Sequence, residues 1–226
     1  MSRGILIYGQ PGSGKTSSLE NLDPASTIII DADKKGLGWA GWINQYSFEK
    51  NNYRKYNDIN KVLEIVSLVG KNSDDWKHIK TIAIDGMNNV WARDVFTYDE
   101  RNNSRNGFEK YAEIGKKTYK LFDNIQDFRD DLNIVITAHV ETADPYVEND
   151  VDKIFTPGKM INKDIKLESK FNYVFYAKSK DGNYFFETKP SRSTARSPRK
   201  FPDQIPNDIA AAISLIDKYE AGELND

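Results

Sequence analysis

The sequence contains no cysteine and only two histidines, and both shortages narrow the chemistry open to the chain. Without cysteine there is no disulfide, no thiolate nucleophile and no cysteine-ligated zinc. The two histidines, His78 and His139, are 61 positions apart and do not form a histidine-rich metal-binding motif. The absence of disulfides favours a reducing compartment, so we expect the protein in the cytoplasm.

Long apolar runs are also missing. No stretch reaches the roughly 18 uncharged apolar residues of a bilayer-spanning helix. The N-terminus leads into a strand-like segment at residues 4–9 rather than into a signal peptide. We therefore expect a soluble protein with no membrane partner. With 226 residues, 38% of them hydrophobic and 29% charged, the chain has the composition of one folded domain.

Charge is unevenly distributed along the chain. The formal net charge is only −2, but residues 159–200 hold 11 Lys and Arg against 4 Asp and Glu. Such an excess of one sign indicates an anionic partner for the C-terminal third. A solvated surface explains the same charges equally well, so both interpretations stay open.

The apolar pattern alternates between strands and helices. Continuous β-rich segments, typical of strands buried on both faces, lie at 5–8, 27–31, 81–85 and 133–138. Helical patterns between them cover residues 15–22, 58–69, a segment after Asp85, and 108–132. Strands that alternate with helices predict an α/β fold with a mostly parallel twisted sheet flanked by helices.

The pattern changes in the last third. Segments 171–178 and 183–189 flank Asp181-Gly182, which is a strong signal for an antiparallel hairpin, and a final helix is predicted at 207–219. No repeat and no long linker divides the chain. We predict a single domain with a C-terminal hairpin; its other features are a polar loop at about 141–168 and a basic segment at about 189–200.

A phosphate-binding motif follows the first strand. Residues 9–16 match G-x-x-x-x-G-K-[ST] between a strand and a predicted helix. In such a loop the backbone N–H groups surround the β-phosphate, the lysine reaches the β- and γ-phosphates, and the Thr hydroxyl ligates Mg²⁺. The predicted ATP-binding residues are Gly9, Gln10, Pro11, Gly12, Ser13, Gly14, Lys15, Thr16 and Ser17.

An acidic partner for Mg²⁺ is expected at the end of another strand. The segment 81–85 ends in Asp85, which we predict to complete the metal site with Thr16. The alternative is that Asp85 caps the following helix.

Hydrolysis requires a carboxylate that aligns or deprotonates the attacking water. Gly86 follows Asp85, which argues against enzymes that place the base beside the Mg²⁺ aspartate, including typical AAA+ ATPases and DExx helicases. The strand at 27–31 leads into Asp31-Ala32-Asp33, whose carboxylates are expected at the nucleotide edge of the sheet. Either Asp31 or Asp33 is a candidate for the base.

At this point the chain resembles the RecA family, in which the strand after the P-loop helix ends in an acidic-Ala-acidic run. The resemblance implies that Asp33 is the catalytic base, in place of the family's Glu. It also implies a γ-phosphate sensor at the end of the strand at 133–138, where Thr137 and His139 stand, with His139 in place of the family's Gln.

The same resemblance implies how DNA and a neighbouring subunit are contacted. The polar loop corresponds to the family's DNA-binding loop, where Phe155 is available for base stacking and Lys159, Lys163, Lys166 and Lys170 for DNA phosphates. The basic segment resembles the region that places a cation on a neighbour's γ-phosphate, and its candidates are Lys189, Arg192 and Arg196.

The Ile-Asp-Gly run at 84–86 and the Thr-Ala-His run at 137–139 also resemble the phage Sak-type RecA-core ATPases. That resemblance implies a Mg²⁺-dependent ATPase that binds single-stranded DNA and promotes annealing or recombination in the host cytoplasm. It implies assembly into a ring or filament, and a single-stranded-DNA-binding protein as partner. A P-loop kinase of a small acceptor and a nucleotide-switched loader protein remain alternative hypotheses.

Overall fold

The computed structural model describes residues 2–71, 74–102, 107–157 and 166–224. The described residues form a nine-stranded sheet in which eight strands follow the order β3-β2-β4-β5-β1-β7-β8-β9, while β6 pairs with β5. The strands are β1 (Arg3–Gly9), β2 (Thr27–Asp31), β3 (Tyr53–Arg54), β4 (Thr81–Asp85), β5 (Asn133–Glu141), β6 (Lys153–Ile154), β7 (Tyr173–Lys180), β8 (Asn183–Glu187) and β9 (Gln204–Pro206).

The six strands from β3 to β7 in this order are parallel, which confirms the predicted fold class. Alternate residues of β1 enter two different cores: Leu6 and Tyr8 pack on one face of the sheet, Ile5 and Ile7 on the other. A strand buried on both faces needs apolar residues at every position, and this requirement explains the unbroken Ile-rich runs.

Five α-helices lie among the described residues: α1 (Trp42–Gln45), α2 (Ile59–Gly70), α3 (Met87–Asn102), α4 (Gly107–Asp123) and α5 (Ile209–Glu220). Helices α2, α3 and α4 cover one face of the sheet, and α5 covers the other. Asp58 caps α2 and Asp208 caps α5, each by accepting a backbone N–H of the first turn. None of the helices in these ranges has both the length and the apolar character that crossing a bilayer requires.

Two helix predictions were too long. The segment at 15–22 contains only a 3-10 turn, Ser17–Leu19, because it is rich in Ser, Thr and Asn, which are poor helix formers. The segment at 108–132 is helical only to the end of α4; a 3-10 turn, Asn124–Asp127, follows and places Ile125 in the core.

The C-terminal hairpin is confirmed. Asp181 and Gly182 have φ angles of 53° and 78°, which is the left-handed pair that a two-residue type I′ turn requires. Strand β7 is itself parallel to β1, so β8 and β9 are the antiparallel strands of this edge. The sequence analysis missed the very short elements β3, β6, β9 and α1, because two to four residues carry no periodic signal.

Candidate functional site

The P-loop lies at the carboxyl edge of the parallel sheet, directly after β1. The ends of β5 and β7 flank β1, and β4 lies on the far side of β5. Ligands of open α/β sheets bind at this edge. A cleft of about 590 Å³ opens here and is lined by P-loop residues together with Asp33, Asp85 and His139. The size is that of a small-molecule site.

Lys15 crosses the base of the P-loop. Its Nζ donates hydrogen bonds to the carbonyl oxygens of Gly9, at 2.8 Å, and Gln10, at 2.7 Å. Burial lowers the pKa of the Lys15 ammonium to about 8, against the opposing effect of Asp85 and Asp33. A buried ammonium with a depressed pKa gains strongly from an added anion. Lys15 is therefore suited to bind phosphate.

The P-loop also contains a buried polar group without a hydrogen-bond partner among the described residues. The hydroxyl Oγ of Ser13 is buried and makes no hydrogen bond with any described residue. Buried polar groups are normally satisfied, so an orphan at the P-loop indicates a missing ligand. The residues present fit a bound triphosphate.

Asp85 is fully buried, and both of its oxygens are held. Thr16 Oγ1 donates to Oδ2 at 2.8 Å, and Thr137 Oγ1 donates to Oδ1 at 2.6 Å. Burial raises the pKa of the Asp85 carboxyl, and the two threonine hydrogen bonds act against that rise. The side chain is thus bonded to the P-loop threonine rather than to the N-terminus of α3, as helix capping would require.

Thr137 is a positioning residue for Asp85. Besides donating to the carboxylate, its Oγ1 accepts the backbone N–H of Gly86 at 2.8 Å. The Thr16–Asp85 pair is the arrangement in which a hydroxyl and a carboxylate hold Mg²⁺ next to a phosphate, and the donor set suits that ion. No group of three His, Cys, Asp or Glu side chains that could hold a metal occurs in the described ranges.

The two acidic candidates, Asp31 at the end of β2 and Asp33 just after it, have different surroundings. Asp31 is fully buried; it accepts the backbone N–H groups of Lys34, at 2.7 Å, and Gly36, at 2.8 Å, and the hydroxyl of Tyr53 at 2.6 Å. All of these bonds hold the turn after β2 in place. Asp33, in contrast, lines the cleft. The geometry therefore favours Asp33 over Asp31 for a role in chemistry.

The carboxylate of Asp33 lies where a side chain at position 86 would stand. Gly86 has a φ of +88°, and a Cβ built on it would overlap Asp33 Oδ1. The turn after β2 thus places a carboxylate where a side chain of the residue after Asp85 would otherwise lie. The absence of a side chain at Gly86 makes room for the carboxylate of Asp33.

His139 lies two residues before the end of β5, which runs on to Glu141, and it lines the cleft. Burial, and then the charge of Lys15, lower the pKa of its imidazole, so the ring is neutral at pH 7. Its Nδ1 is buried without a hydrogen-bond partner among the described residues. A neutral imidazole with an unused nitrogen is suited to hydrogen-bond phosphate or its bound water.

Two asparagines in the first turn of α3 were missed. Asn89 Nδ2 donates to Asp33 Oδ1. Asn88 Oδ1 accepts the backbone N–H of His139 at 2.6 Å, and its Nδ2 donates to the carbonyl of Phe155 at 2.9 Å. The Asn-Asn pair soon after a strand end was a usable signal, because residues there lie at the ligand edge of the sheet.

A second missed group also lines the cleft. It comprises Glu20, Asn21, Tyr184 and Asn207. Tyr184, on β8, and Asn207, just before α5, both pack against Gly14, where an added Cβ would meet Asn207 Oδ1 at 2.7 Å. The half-exposed ring of Tyr184 offers a face for a nucleobase. Sequence reasoning had no means to bring β8 next to the P-loop.

The cations of the basic segment lie elsewhere. Among the described residues, those that line the cleft do not include Lys189, Arg192 or Arg196. Lys189 Nζ donates to the carbonyls of Pro198 and Arg199, and Arg196 Nη2 donates to those of Phe171 and Glu168. Arg192 is exposed. A role for any of them on a neighbouring subunit stays a prediction.

The four candidate DNA-binding lysines are only partly described. Lys159 and Lys163 lie outside the described residues. Lys166 is exposed. Lys170 forms an ion pair with Asp123 at 2.7 Å and lies over the ring of Tyr119, so its charge is already used within the chain.

Comparison with known proteins identifies the class. A family model described as AAA domain matches residues 1–199, and the chain belongs to this family. It is a RecA-like P-loop protein of an ATPase family, and membership of such a family implies nucleotide binding. The glycine after Asp85 argued against typical AAA+ ATPases. That inference concerns the position of the base, which the match to the family model does not test.

Similarity to individual proteins is distant. No match was found among curated proteins. One similar solved structure is the crystal structure of a KaiC-like protein from the hyperthermophilic archaeon Pyrococcus horikoshii OT3. It has 14% identity and a TM-score of 0.47, over 81% of this chain and 76% of that one. The likeness is too weak to assign a role to any residue.

Proposed function

We propose that the protein is a Mg²⁺-dependent ATPase that binds single-stranded DNA and promotes annealing or recombination. The observation that carries the hydrolytic part is the convergence of Lys15, Thr16, Asp85 and Asp33 on one cleft. Lys15 would hold the β- and γ-phosphates, while Thr16 and Asp85 would hold Mg²⁺. The metal would neutralise charge that builds up on the phosphates.

Asp33 is the group that would activate water. Its Oδ1 is fixed by Asn89, and its side chain is only 15% exposed, so the carboxylate is held at the cleft wall. An oriented carboxylate close to the terminal phosphate can accept the proton of an attacking water. His139, neutral and adjacent to Lys15, would report on the γ-phosphate.

The coupling to DNA is supported by the bonds between the cleft and the polar loop. The backbone of His139 donates to Asn88 and accepts the N–H of Phe155 at 2.8 Å, while Asn88 also holds the Phe155 carbonyl. A shift of the strand end at His139 is thus transmitted to the segment around Phe155. This is a route by which nucleotide state would alter affinity for DNA.

The polar loop has side chains suited to contact nucleobases. Phe155 is 49% exposed and Tyr146 is 96% exposed. Exposed aromatic rings stack with bases, at about 1–3 kcal/mol per base. The lysines Lys159, Lys163 and Lys166 would supply the phosphate contacts. The acidic residues of the loop, such as Asp144 and Glu148, are poor neighbours for DNA, so the basic second half would carry the interaction.

The resemblance to Sak-type proteins supports the finer parts of the proposal. These are a phage origin, action in the bacterial cytoplasm, a ring or filament as the active assembly, and a single-stranded-DNA-binding protein as partner. Arg192, exposed and unused in the cleft of its own chain, is the basic-segment residue best placed to reach a neighbour.

The test combines hydrolysis with DNA binding. We expect phosphate release from ATP that requires Mg²⁺, rises several-fold with single-stranded DNA, and stops in Lys15→Ala. DNA binding in the presence of an ATP analogue should weaken as salt increases, as contacts to phosphates require. Absence of DNA binding at low salt with the analogue present would refute the DNA part. Transfer of phosphate to a small acceptor instead of water would show a kinase.

A further inference from the structure

Lys35 is a cation of the cleft that the sequence motifs do not include. It stands two residues after Asp33 and lines the same cleft as Lys15. Its Nζ forms an ion pair with Asp33 Oδ2, and its side chain is 65% exposed where that of Asp33 is 15% exposed. Lys35 thus covers the carboxylate oxygen that Asn89 leaves unbound.

The backbone that carries Lys35 is firmly held. Asp31 accepts the N–H groups on either side of it, those of Lys34 and Gly36. Lys34 has a φ of 60°, and Gly36, with a φ of +86°, packs against the ring of Trp42. The attachment point of the side chain is therefore fixed, and the long exposed chain of Lys35 is free to change its rotamer at little cost.

The pair with Asp33 is weak enough to exchange. The Lys35 end of the pair lies mostly in solvent, where water screens the attraction, so the pair contributes little to stability. A terminal phosphate carries more charge than a carboxylate and forms strong charge-assisted hydrogen bonds with an ammonium. A triphosphate in the cleft would therefore compete well for Lys35. A diphosphate, which lacks the terminal group, would leave the pair in place.

The other proposed phosphate-contacting cations are less available. Lys189 and Arg196 donate hydrogen bonds to backbone carbonyls of their own chain. Lys15 is already engaged at the base of the P-loop. Lys35 is the exposed cation beside the candidate base, within the part of the chain that the structure describes.

We propose that Lys35 moves from Asp33 to the γ-phosphoryl group when a triphosphate binds, so that one side chain both stabilises the transferring group and uncovers the base. The inference rests on the proposed hydrolysis. Asn89 keeps Asp33 oriented through Oδ1 while Lys35 releases Oδ2. The site is then self-inhibited until its substrate arrives, and it distinguishes tri- from diphosphate without a neighbouring subunit.

The chemical step balances with water as the second substrate. The water oxygen forms a bond to the γ-phosphorus as its proton passes to Asp33 Oδ2. The bond between that phosphorus and the β–γ bridging oxygen breaks, and its electron pair leaves with ADP. Lys35 would offset the charge on the γ-phosphoryl oxygens, and it would return to Asp33 once the carboxyl has lost its proton and the phosphate has left.

The experiment uses Lys35→Gln, Lys35→Arg and a matched control, Lys34→Gln, which removes the same charge from the neighbouring exposed lysine. Calorimetry with Mg²⁺ measures the affinity for ADP and for a non-hydrolysable ATP analogue, and phosphate release measures the rate. We expect Lys35→Gln to weaken analogue binding about tenfold, to leave ADP binding within twofold, and to slow hydrolysis at least about 100-fold. Lys35→Arg should restore part of both losses, and Lys34→Gln should match the wild type.

Two results would overturn the inference. In the first, Lys35→Gln binds the analogue as well as the wild type does. In the second, it hydrolyses ATP faster, because Lys35 would then only shield Asp33. A wild-type protein that binds the analogue but releases no phosphate would instead refute the proposed hydrolysis, and the affinity measurements would still test whether Lys35 contacts the terminal phosphate. Thermal unfolding of each variant checks that the fold is intact.

Discussion

The carboxyl edge of the sheet and the basic segment at 189–200 are both rich in charge, but they use it differently. At the sheet edge, side chains from β4, β5 and the turn after β2 line one cleft, where Asp85 bonds to Thr137 and Asp33 bonds to Asn89. In the basic segment, Lys189 and Arg196 bond to carbonyls of their own chain. The formal charge of a segment therefore does not show how much of it is available to a ligand, since hydrogen bonds within the fold decide that.

The strongest test of the difference between the sheet edge and the basic segment is a substitution of Gly86. Gly86→Ala adds a methyl group where Asp33 Oδ1 lies, at a backbone angle that favours glycine. We expect ATP hydrolysis to fall about 100-fold or more, because the base is displaced. Gly182→Ala is the matched control: its φ is +78° and an added Cβ meets nothing within 4 Å. If both variants hydrolyse ATP at the same rate, Asp33 is not the base.

The pH dependence of nucleotide binding tests the buried Lys15. Its pKa lies near 8 in the free protein, so the ammonium is charged at pH 7 and loses its proton as the pH rises through 8. Binding of phosphate favours the charged form. Affinity for the ATP analogue should therefore fall above pH 8, by up to about tenfold per pH unit.

Proton uptake on nucleotide binding is a second test of the link between binding and the protonation of Lys15. Calorimetry at pH 8.5 in two buffers with different ionisation enthalpies should show a proton taken up on binding. Binding that is unchanged between pH 7 and pH 9.5 would mean that Lys15 does not contact the nucleotide in its ammonium form.

A smaller effect on hydrolysis is expected from a substitution of Asn88, which lies between the cleft and the polar loop. Asn88→Ala removes the side chain that joins the backbone of His139 to that of Phe155. We expect basal hydrolysis to fall only a few-fold, while stimulation by single-stranded DNA is lost. Titration of phosphate release with an oligonucleotide measures both quantities. Normal stimulation in this variant would show that the polar loop receives its signal by another route.

The smallest effect on activity should come from Arg196→Ala in the basic segment. Its guanidinium satisfies the carbonyl of Phe171, so we expect a loss of about 1–3 kcal/mol in the free energy of unfolding and no change in ATP hydrolysis by the separate subunit. Denaturant unfolding measures the first, and phosphate release at low protein concentration the second. Loss of hydrolysis without loss of stability would place Arg196 in catalysis.

The sequence predicted most of the sheet and several of the residues that line the cleft. Strands such as β2 and β4 were found at their observed bounds because burial on both faces leaves an unbroken apolar run. The P-loop and Asp85 were found because phosphate and metal binding fix residue type and spacing.

The other features of the site depend on contacts between residues that are far apart in the sequence. The resemblance implied Asp33, but the contact that sets Asp31 apart is made by Tyr53, on a two-residue strand that the sequence did not predict. Tyr184 and Asn207 reach the P-loop only through the pairing of β7 with β1, and Lys35 belongs to no motif. The helix predicted at 15–22 was too long because several of its residues have weak helix propensity.

The space shared by Asp33 and Gly86 implies a rule of mutual exclusion. A side chain at position 86 would overlap Asp33 Oδ1, so a chain of this architecture can draw an acid in that space from the turn after β2 or from the residue after β4, but not from both. Two proteins that carry the acid at different positions would differ at position 33 and at position 86. They would agree, however, in having one acid in the pair. The reciprocal exchange, Asp33→Gly with Gly86→Asp, would relocate the acid while keeping one carboxylate in that volume.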